Sequence, residues 1–255
     1  MWRAAMPDPV EVTRLKRARE RLDLHPLAIH VNYLINLASL DPEIRGKSIA
    51  AFRGELDRAD AIGAEYLVTH PGNYKGQSIE QGIAAFVLGM AEAAGNIHRD
   101  VTVLIENTAG TGAQIGSRFE ELALIRSLAA RETELAVGYC LDTCHLLAAG
   151  FDVASETGLR QTTREIGATL GFEYVRVIHA NDSKGALGSH IDRHQNIGEG
   201  HIGVDGFRRI LAHPKLRSKA FILETPVDED GDDRRNVEKL KSLCPKERTT
   251  TTRSS

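Results

Sequence analysis

The fold this sequence predicts is α/β, a parallel (β/α)8 TIM barrel, and three observations predict it. Short aliphatic or β-branched runs recur along the chain, helix-period stretches separate them, and each run closes on polar residues. The runs are near-continuously hydrophobic rather than alternating, as strands buried on both faces of a parallel sheet are. Strands that alternate with helices at this interval make successive βα units.

In chain order, a helix-period stretch at 10–24 opens the sequence with no strand before it. LAIHVNY (27–33) is the first strand run, followed by a helix at 42–62. EYLVTHPG (65–72) with 79–98, VTVLIENT (101–108) with 119–130, and AVGYCLDT (136–143) with 154–170 repeat the unit. YVRVIHAND (174–182) with 204–211 is the fifth, and AFILETP (220–226) supplies a sixth strand. A closed barrel of this type needs eight. VDEDGDDRRN (227–236) reads as a charged loop. KERTTTTRSS (246–255) is a polar tail with nothing to bury, and it is expected to be disordered. No linker interrupts the rest, so 1–245 is expected to form one barrel domain.

Composition sets limits on function. Hydrophobic residues make up 42% and charged residues 26% of 255, the balance of an ordinary soluble globular chain. The formal net charge of −3 gives no global basic field, so any affinity for phosphates must come from local Lys and Arg or from bound metal. Three cysteines, Cys140, Cys144 and Cys244, cannot close a disulfide framework and fit a reducing compartment. The first 25 residues have no apolar core between their charges, and no run approaches the ~18 apolar residues of a membrane span. A cytoplasmic protein without membrane contact is expected.

The strand ends carry the chemistry. His30, His70, Glu106, Asp142, His179 and Glu224 each sit at or near the carboxyl end of one of the six runs. In a parallel barrel those ends form one face and converge on a common axis. A lone His at a strand end is more often a hydrogen-bonding core residue than a ligand. Six such residues on six strands make that reading hard to sustain. In DTCH, His145 follows Asp142 by three residues, and in HIDRH, Asp192 and His194 are one residue apart. Extended neighbours of that spacing point the same way. Five imidazoles and four carboxylates suit Zn²⁺, or Mn²⁺ at one or more sites, better than Mg²⁺ or Ca²⁺. Nine ligands exceed the needs of one zinc, so at least two metals are implied. Two metals ~3.5–4 Å apart are a common device for in-line attack on phosphate esters. His25, His98 and His213 lie in or beside helices and read as surface residues. His190 and His201 read as members of a solvated loop.

The longer words, YLINLAS, THPGNY, LIENTAGTG, GYCLDTCHLLAAGFD, VIHANDSK, DRHQNIGEGHIG and ILETP, resemble in order the signature segments of the endonuclease IV family of apurinic/apyrimidinic endonucleases. The likeness runs from Trp2 to about Leu243. It implies a DNA-repair hydrolase that cuts the phosphodiester 5′ to abasic sites in duplex DNA, leaving a 3′-hydroxyl and a 5′-deoxyribose phosphate. It also implies three zinc ions. The first would be held by His30, His70 and Glu106. The second would share Glu106 and add Asp142, His179 and Glu224, and the third would take His145, Asp192 and His194. Glu106 and Glu224 would be the catalytic carboxylates. Tyr33 and Leu34 match residues that push into the duplex beside the lesion, although Tyr-Leu after a strand is often core. Lys184 and Arg193, in the ligand loops, are candidate phosphate contacts; each alone would more often be a solvated charge.

Against the family pattern the chain starts late. Roughly 40 residues of barrel, the first two strands and first helix, are expected before Trp2. A DNA-contacting arginine of the family lies in that segment. A start assigned downstream and a true truncation would both produce this, and missing strands would leave two open sheet edges. GEGHIG (198–203) fits the dinucleotide fingerprint but follows polar SHIDRHQN instead of a buried strand, so no nucleotide cofactor is expected. Cys140 and Cys144 read as packing residues on a strand and its turn. A monomer is expected. Two other readings stay open: a metal-dependent sugar isomerase or epimerase of a related barrel, and a non-catalytic metal- or DNA-binding remnant.

Overall fold

The computed structural model describes residues 5–97 and 99–245. The expectations for His98 and for the tail at 246–255 therefore fall outside the described residues. Chain order is α1 (Pro9–Leu22), β1 (Ala28–His30), α2 (Pro42–Ile62), β2 (Tyr66–Thr69), α3 (Ile79–Ala94), β3 (Thr102–Glu106), α4 (Phe119–Glu132) and β4 (Val137–Asp142). There follow α5 (Thr143–Ala149), α6 (Glu156–Thr169), β5 (Val175–His179), β6 (Asp182–Ser183), β7 (His194–Gln195), α7 (Gly203–Ala212), β8 (Ala220–Ile222) and α8 (Asp232–Leu243).

Six strands form one sheet in the order β1-β2-β3-β4-β5-β8, and every neighbouring pair is parallel. These are the six runs the sequence predicts, wrapped as a TIM-barrel wall. Helices α2, α3, α4, α6, α7 and α8 pack against one another in succession along its outside. Outward strand residues such as Leu67, Val103, Ile105, Tyr139 and Ile178 are buried against them in the main core. A smaller cluster of Val68, Leu104, Cys140 and Val177 fills the inner face. Strands β2 to β5 are largely buried, whereas β1 and β8, at the open edges, are only half-buried.

Four local departures from the sequence reading have plain causes. Helix α3 stops at Ala94 and not at 98, because Gly95 follows at φ 57° with its amide on Ala91 O. GYCLDTCH is a strand and then a helix. Asp142 ends β4 and caps α5, its Oδ1 accepting from the His145 amide at 2.8 Å. That places Cys144 on a helix and not on a turn, though it is buried as expected. The charged loop at 227–236 gives way to α8 at Asp232, whose carboxylate accepts from the Asp228 and Glu229 amides while Leu240 and Leu243 bury the inner face. The segment after β5 forms an antiparallel ribbon, Asp182 opposite Gln195 and Ser183 opposite His194.

At the other end of the wall, α1 is clamped to the sheet. Arg19, 8% exposed, reaches Gly63 O and both carboxylate oxygens of Glu65, which also accepts from the Leu27 amide at 2.7 Å. His25 is exposed, as expected of a surface residue, and lies 3.0 Å from Glu65 and 3.3 Å from Arg19. His213 is half-buried beside Phe172 and so is not a free surface residue.

Candidate metal centre

Strand register explains why the candidate ligands meet. His30 pairs with Val68, two residues before His70, and Thr69 pairs with Ile105, which puts His70 level with Glu106. Glu106 pairs with Cys140, two before Asp142; Asp142 pairs with His179; and His179 pairs with Ile222, two before Glu224. Steps of zero or two keep a side chain on the same face of a sheet. All six therefore point to the inside of the wall. Residues two positions earlier, Val68, Leu104, Cys140 and Val177 with Ala28 and Ile222 beside them, make the apolar layer directly beneath. The charged layer stands on an apolar floor, where electrostatic interactions are stronger than in water.

The ribbon and α5 complete the ring. His145, one turn into the protein from Asp142 on α5, faces Asp192 with Nε2 3.1 Å from Oδ1, and His194 Nε2 lies 3.7 Å from the same oxygen. Five groupings result among the described residues, in each of which the candidate ligand atoms all lie within 4.8 Å of one another, and two of them bring in Cys140 or Cys144. The other three are built of His, Asp and Glu alone: His30, His70 and Glu106; Glu106, Asp142, His179 and Glu224; and His145, Asp192 and His194. Glu106 is fully buried and joins them. Its Oε2 is 2.9 Å from His30 Nε2 and 3.6 Å from His70 Nε2, and its Oε1 is 2.9 Å from His179 Nδ1 and 3.7 Å from His145 Nδ1.

Protonation in this layer is set by burial working against paired charge. Burial would lower the His30 and His145 imidazoles, but neighbouring carboxylates win: Glu106 raises His30, and Asp142 with Asp192 raises His145 to about 10. His179 is raised in the same way, with Glu106 overcoming burial. For His70 burial dominates and lowers it. Burial would raise Glu106, yet the imidazoles of His70 and His179 hold it well below the carboxylate range. Three buried imidazole nitrogens, His70 Nδ1, His145 Nε2 and His194 Nε2, have no hydrogen-bond partner among the described residues. Native interiors rarely leave such groups unsatisfied. The His145 and His194 nitrogens, both turned toward Asp192 Oδ1, fit a divalent metal in place of protons, of the kind imidazole and carboxylate bind.

Three of these histidines are held from the far side of the ring. His30 Nδ1 lies 2.9 Å from Val31 O, His145 Nδ1 3.0 Å from Asn107 O and His194 Nδ1 2.9 Å from Glu224 O. Backbone acceptors of this kind orient metal-binding imidazoles and fix their tautomer. Two residues that the sequence reading does not single out do similar work. Asn107 accepts from the Asp142 amide at 2.7 Å, and Asn181 donates to Asp142 Oδ2 at 2.6 Å. The only sequence signal for either is its place, immediately after or two after a ligand at a strand end. The GEGHIG glycines shape a loop held by Asp182, which accepts from the Gly198, Ile202 and Gly203 amides.

The remaining candidates lie around the mouth. A cleft of about 300 Å³ opens beside the first grouping, lined by His30, Tyr33, His70, Asn73 and Asp192 among others. Tyr33 is 88% exposed and Leu34 half-buried, on the loop after β1. Lys184 and Arg193 are exposed and tied together across the ribbon, the Lys184 amide donating to Arg193 O at 2.9 Å. His190 and His201 are exposed as expected, although His190 Nδ1 is 2.8 Å from Ala109 O.

Comparison with known proteins decides the family. A family model described as xylose isomerase-like TIM barrel matches residues 2–244. A probable endonuclease 4 of Solibacter usitatus is 65% identical over 96% of this chain and 84% of its own length. The chain belongs to the endonuclease IV family. A family relative from Chloroflexus aurantiacus, also a probable endonuclease 4, is 41% identical over 95% of the chain and 85% of its own length. The crystal structure of endonuclease IV from Thermus thermophilus superposes with a TM-score of 0.81 at 37% identity, covering 95% of this chain and 84% of that one. A D-tagatose 3-epimerase-like protein superposes at 0.67 with 18% identity, a likeness of fold alone.

Proposed function

We propose that the chain is a DNA-repair endonuclease, hydrolysing the phosphodiester 5′ to abasic sites in duplex DNA through three zinc ions. The observation that carries this reading is the arrangement of nine ligands into three groupings around the buried Glu106, at the mouth of a cleft flanked by an exposed aromatic residue. Bound in those groupings, zinc would supply Lewis acidity, making water nucleophilic near neutral pH and offsetting charge on the phosphoryl oxygens. The protein's part would be to hold Glu106 and Glu224 in the ligand layer as the catalytic carboxylates and to keep the centre rigid on the strand ends. Lys184 and Arg193 would contact backbone phosphates on the ribbon side. Tyr33 and Leu34 would press into the duplex beside the lesion, where an unpaired site resists unstacking least.

The third grouping favours this over a sugar isomerase or epimerase, since such barrels commonly work with one or two metals and do not need the Asp192–His194 pair. Incision of a duplex oligonucleotide carrying one abasic site tests the reading, before and after chelation and with zinc restored. Zinc-dependent cutting 5′ to the lesion is expected, with 3′-hydroxyl ends. Turnover of ketose sugars without DNA cleavage would replace this function with the isomerase reading. Zinc and DNA binding with no turnover would leave a binding remnant.

A further inference from the structure

We propose that Asn181 is a positioning residue whose side chain determines whether the second ligand grouping loads with metal. The inference rests on the reading of the site as a zinc centre. Asn181 is fully buried, and its side chain spans two ligands from strands that are not chain neighbours. Its Nδ2 donates to Asp142 Oδ2 at 2.6 Å, at the end of β4, and its Oδ1 accepts from the Glu224 amide at 2.8 Å, just past the end of β8. A carboxylate on one side and an N–H on the other permit only one orientation of the amide. Asp142 Oδ1 accepts from the His145 amide at 2.8 Å. Each carboxylate oxygen thus has one hydrogen bond and keeps a lone pair for a metal. Asn181 is itself held by Thr143, 3% exposed: the Asn181 amide donates to the hydroxyl at 3.0 Å, and the hydroxyl donates to Asn181 O at 2.7 Å.

The contacts of Asn181 lead on to the third grouping through Glu224. Glu224 O lies 2.9 Å from His194 Nδ1, so the backbone of one residue, Glu224, links the constraint to the third grouping. The side-chain hydrogen bonds of Asn181 go to Asp142 and Glu224, and not to His30 or His70 of the first. Loss of the amide should therefore empty the second grouping, weaken the third and spare the first.

The test is zinc content per chain by elemental analysis, together with competition against a chromophoric chelator. The variants are Asn181→Asp, which keeps the shape but sets a carboxylate oxygen against Asp142, and Asn181→Leu, which removes both bonds. Both should bind at least one zinc fewer than the unmodified chain, and that ion should be held about 10–100-fold more weakly, as for other outer supports of metal ligands. Thr143→Val should shift in the same direction, while Thr143→Ser, which keeps the hydroxyl, should restore the original content. Thermal unfolding of the chelated proteins separates the two roles, because a merely structural asparagine would lower that midpoint and leave zinc content unchanged. Unaltered zinc content and competition in both Asn181 variants would overturn the inference and leave the zinc reading standing. An unmodified chain that takes up no zinc would overturn both.

Discussion

Tyr33 keeps 88% of its surface exposed at the rim of the cleft, although aromatic side chains gain more from burial than most. The sequence leaves Tyr33 and Leu34 divided between core and DNA contact; exposure removes the core reading for Tyr33. A side chain that buries so little contributes little to folding, at ~25 cal/mol per Å² removed from water. Tyr33→Ala should therefore leave the thermal midpoint unchanged within error. Its effect should fall on DNA, raising KM for abasic duplex by about 5- to 150-fold, the equivalent of the ~1–3 kcal/mol that base stacking on an aromatic is worth. Steady-state incision kinetics beside a melting curve check both halves; a lowered midpoint with normal KM would return Tyr33 to the core. The convergence of the candidate ligands was legible because His, Asp and Glu at strand ends are chemically conspicuous. Asn107 and Asn181 were not. An asparagine after a strand is also what an ordinary turn would use, and only the distances to Asp142 distinguish the two.

Whole elements were legible where hydrophobic period alone decides them, as in the six strands and helices α2, α3, α4, α6 and α7. The elements missed depend on single polar contacts: α5 on the Asp142 cap, α8 on the turn held by Asp232, and the β6–β7 ribbon on a two-pair register. Gly200 shows how tightly the loop after the ribbon is fitted. An added Cβ would lie 2.4 Å from Ser183 O and 2.5 Å from Asp182 Oδ1. Gly200→Ala should cost about 1–3 kcal/mol in urea unfolding, the usual cost of overpacking. Because Ser183 pairs with His194, it should also weaken zinc at the third grouping. At the opposite end of the wall, Glu65 anchors α1. Burial would raise its carboxyl, but the Leu27 amide, His25 and Arg19 hold it down at about 2, below its ordinary 4.5. A folded-state pKa below the unfolded one adds stability that is fully present above pH 4.5 and disappears as pH falls toward 2. Glu65→Gln should lower the midpoint at neutral pH and flatten the acid limb between those values. An acid limb identical to that of the unmodified chain would show that the clamp is not linked to folding.

At the scale of the molecule, the barrel wall is a stack of layers, and its top layer is unlike the rest. Five imidazoles and four carboxylates crowd together above Val68, Leu104, Cys140 and Val177, with neighbouring histidine rings 5.2–6.1 Å apart. With protons alone, the layer balances buried like charges through imperfect pairs, and the Nε2 atoms of His145 and His194 stay without a hydrogen bond among the described residues. Divalent metal would replace those protons and satisfy the nitrogens at once, so metal affinity becomes folding free energy. The consequence should be large here, because the layer draws on every strand of the sheet, including the half-buried edges β1 and β8. A single zinc at 100 times its dissociation constant adds about 2.7 kcal/mol, and a chain of this size shifts by about 2–4 °C per kcal/mol. Chelation should therefore lower the melting midpoint by at least about 5 °C, and added zinc should restore it. Hydrogen exchange should place the loosening first at Ala28–His30 and Ala220–Ile222, which have a ladder partner on one side only, before it reaches β3 and β4. A midpoint indifferent to chelator, with uniform exchange across the sheet, would mean that the imidazole–carboxylate pairs hold the strand ends without metal.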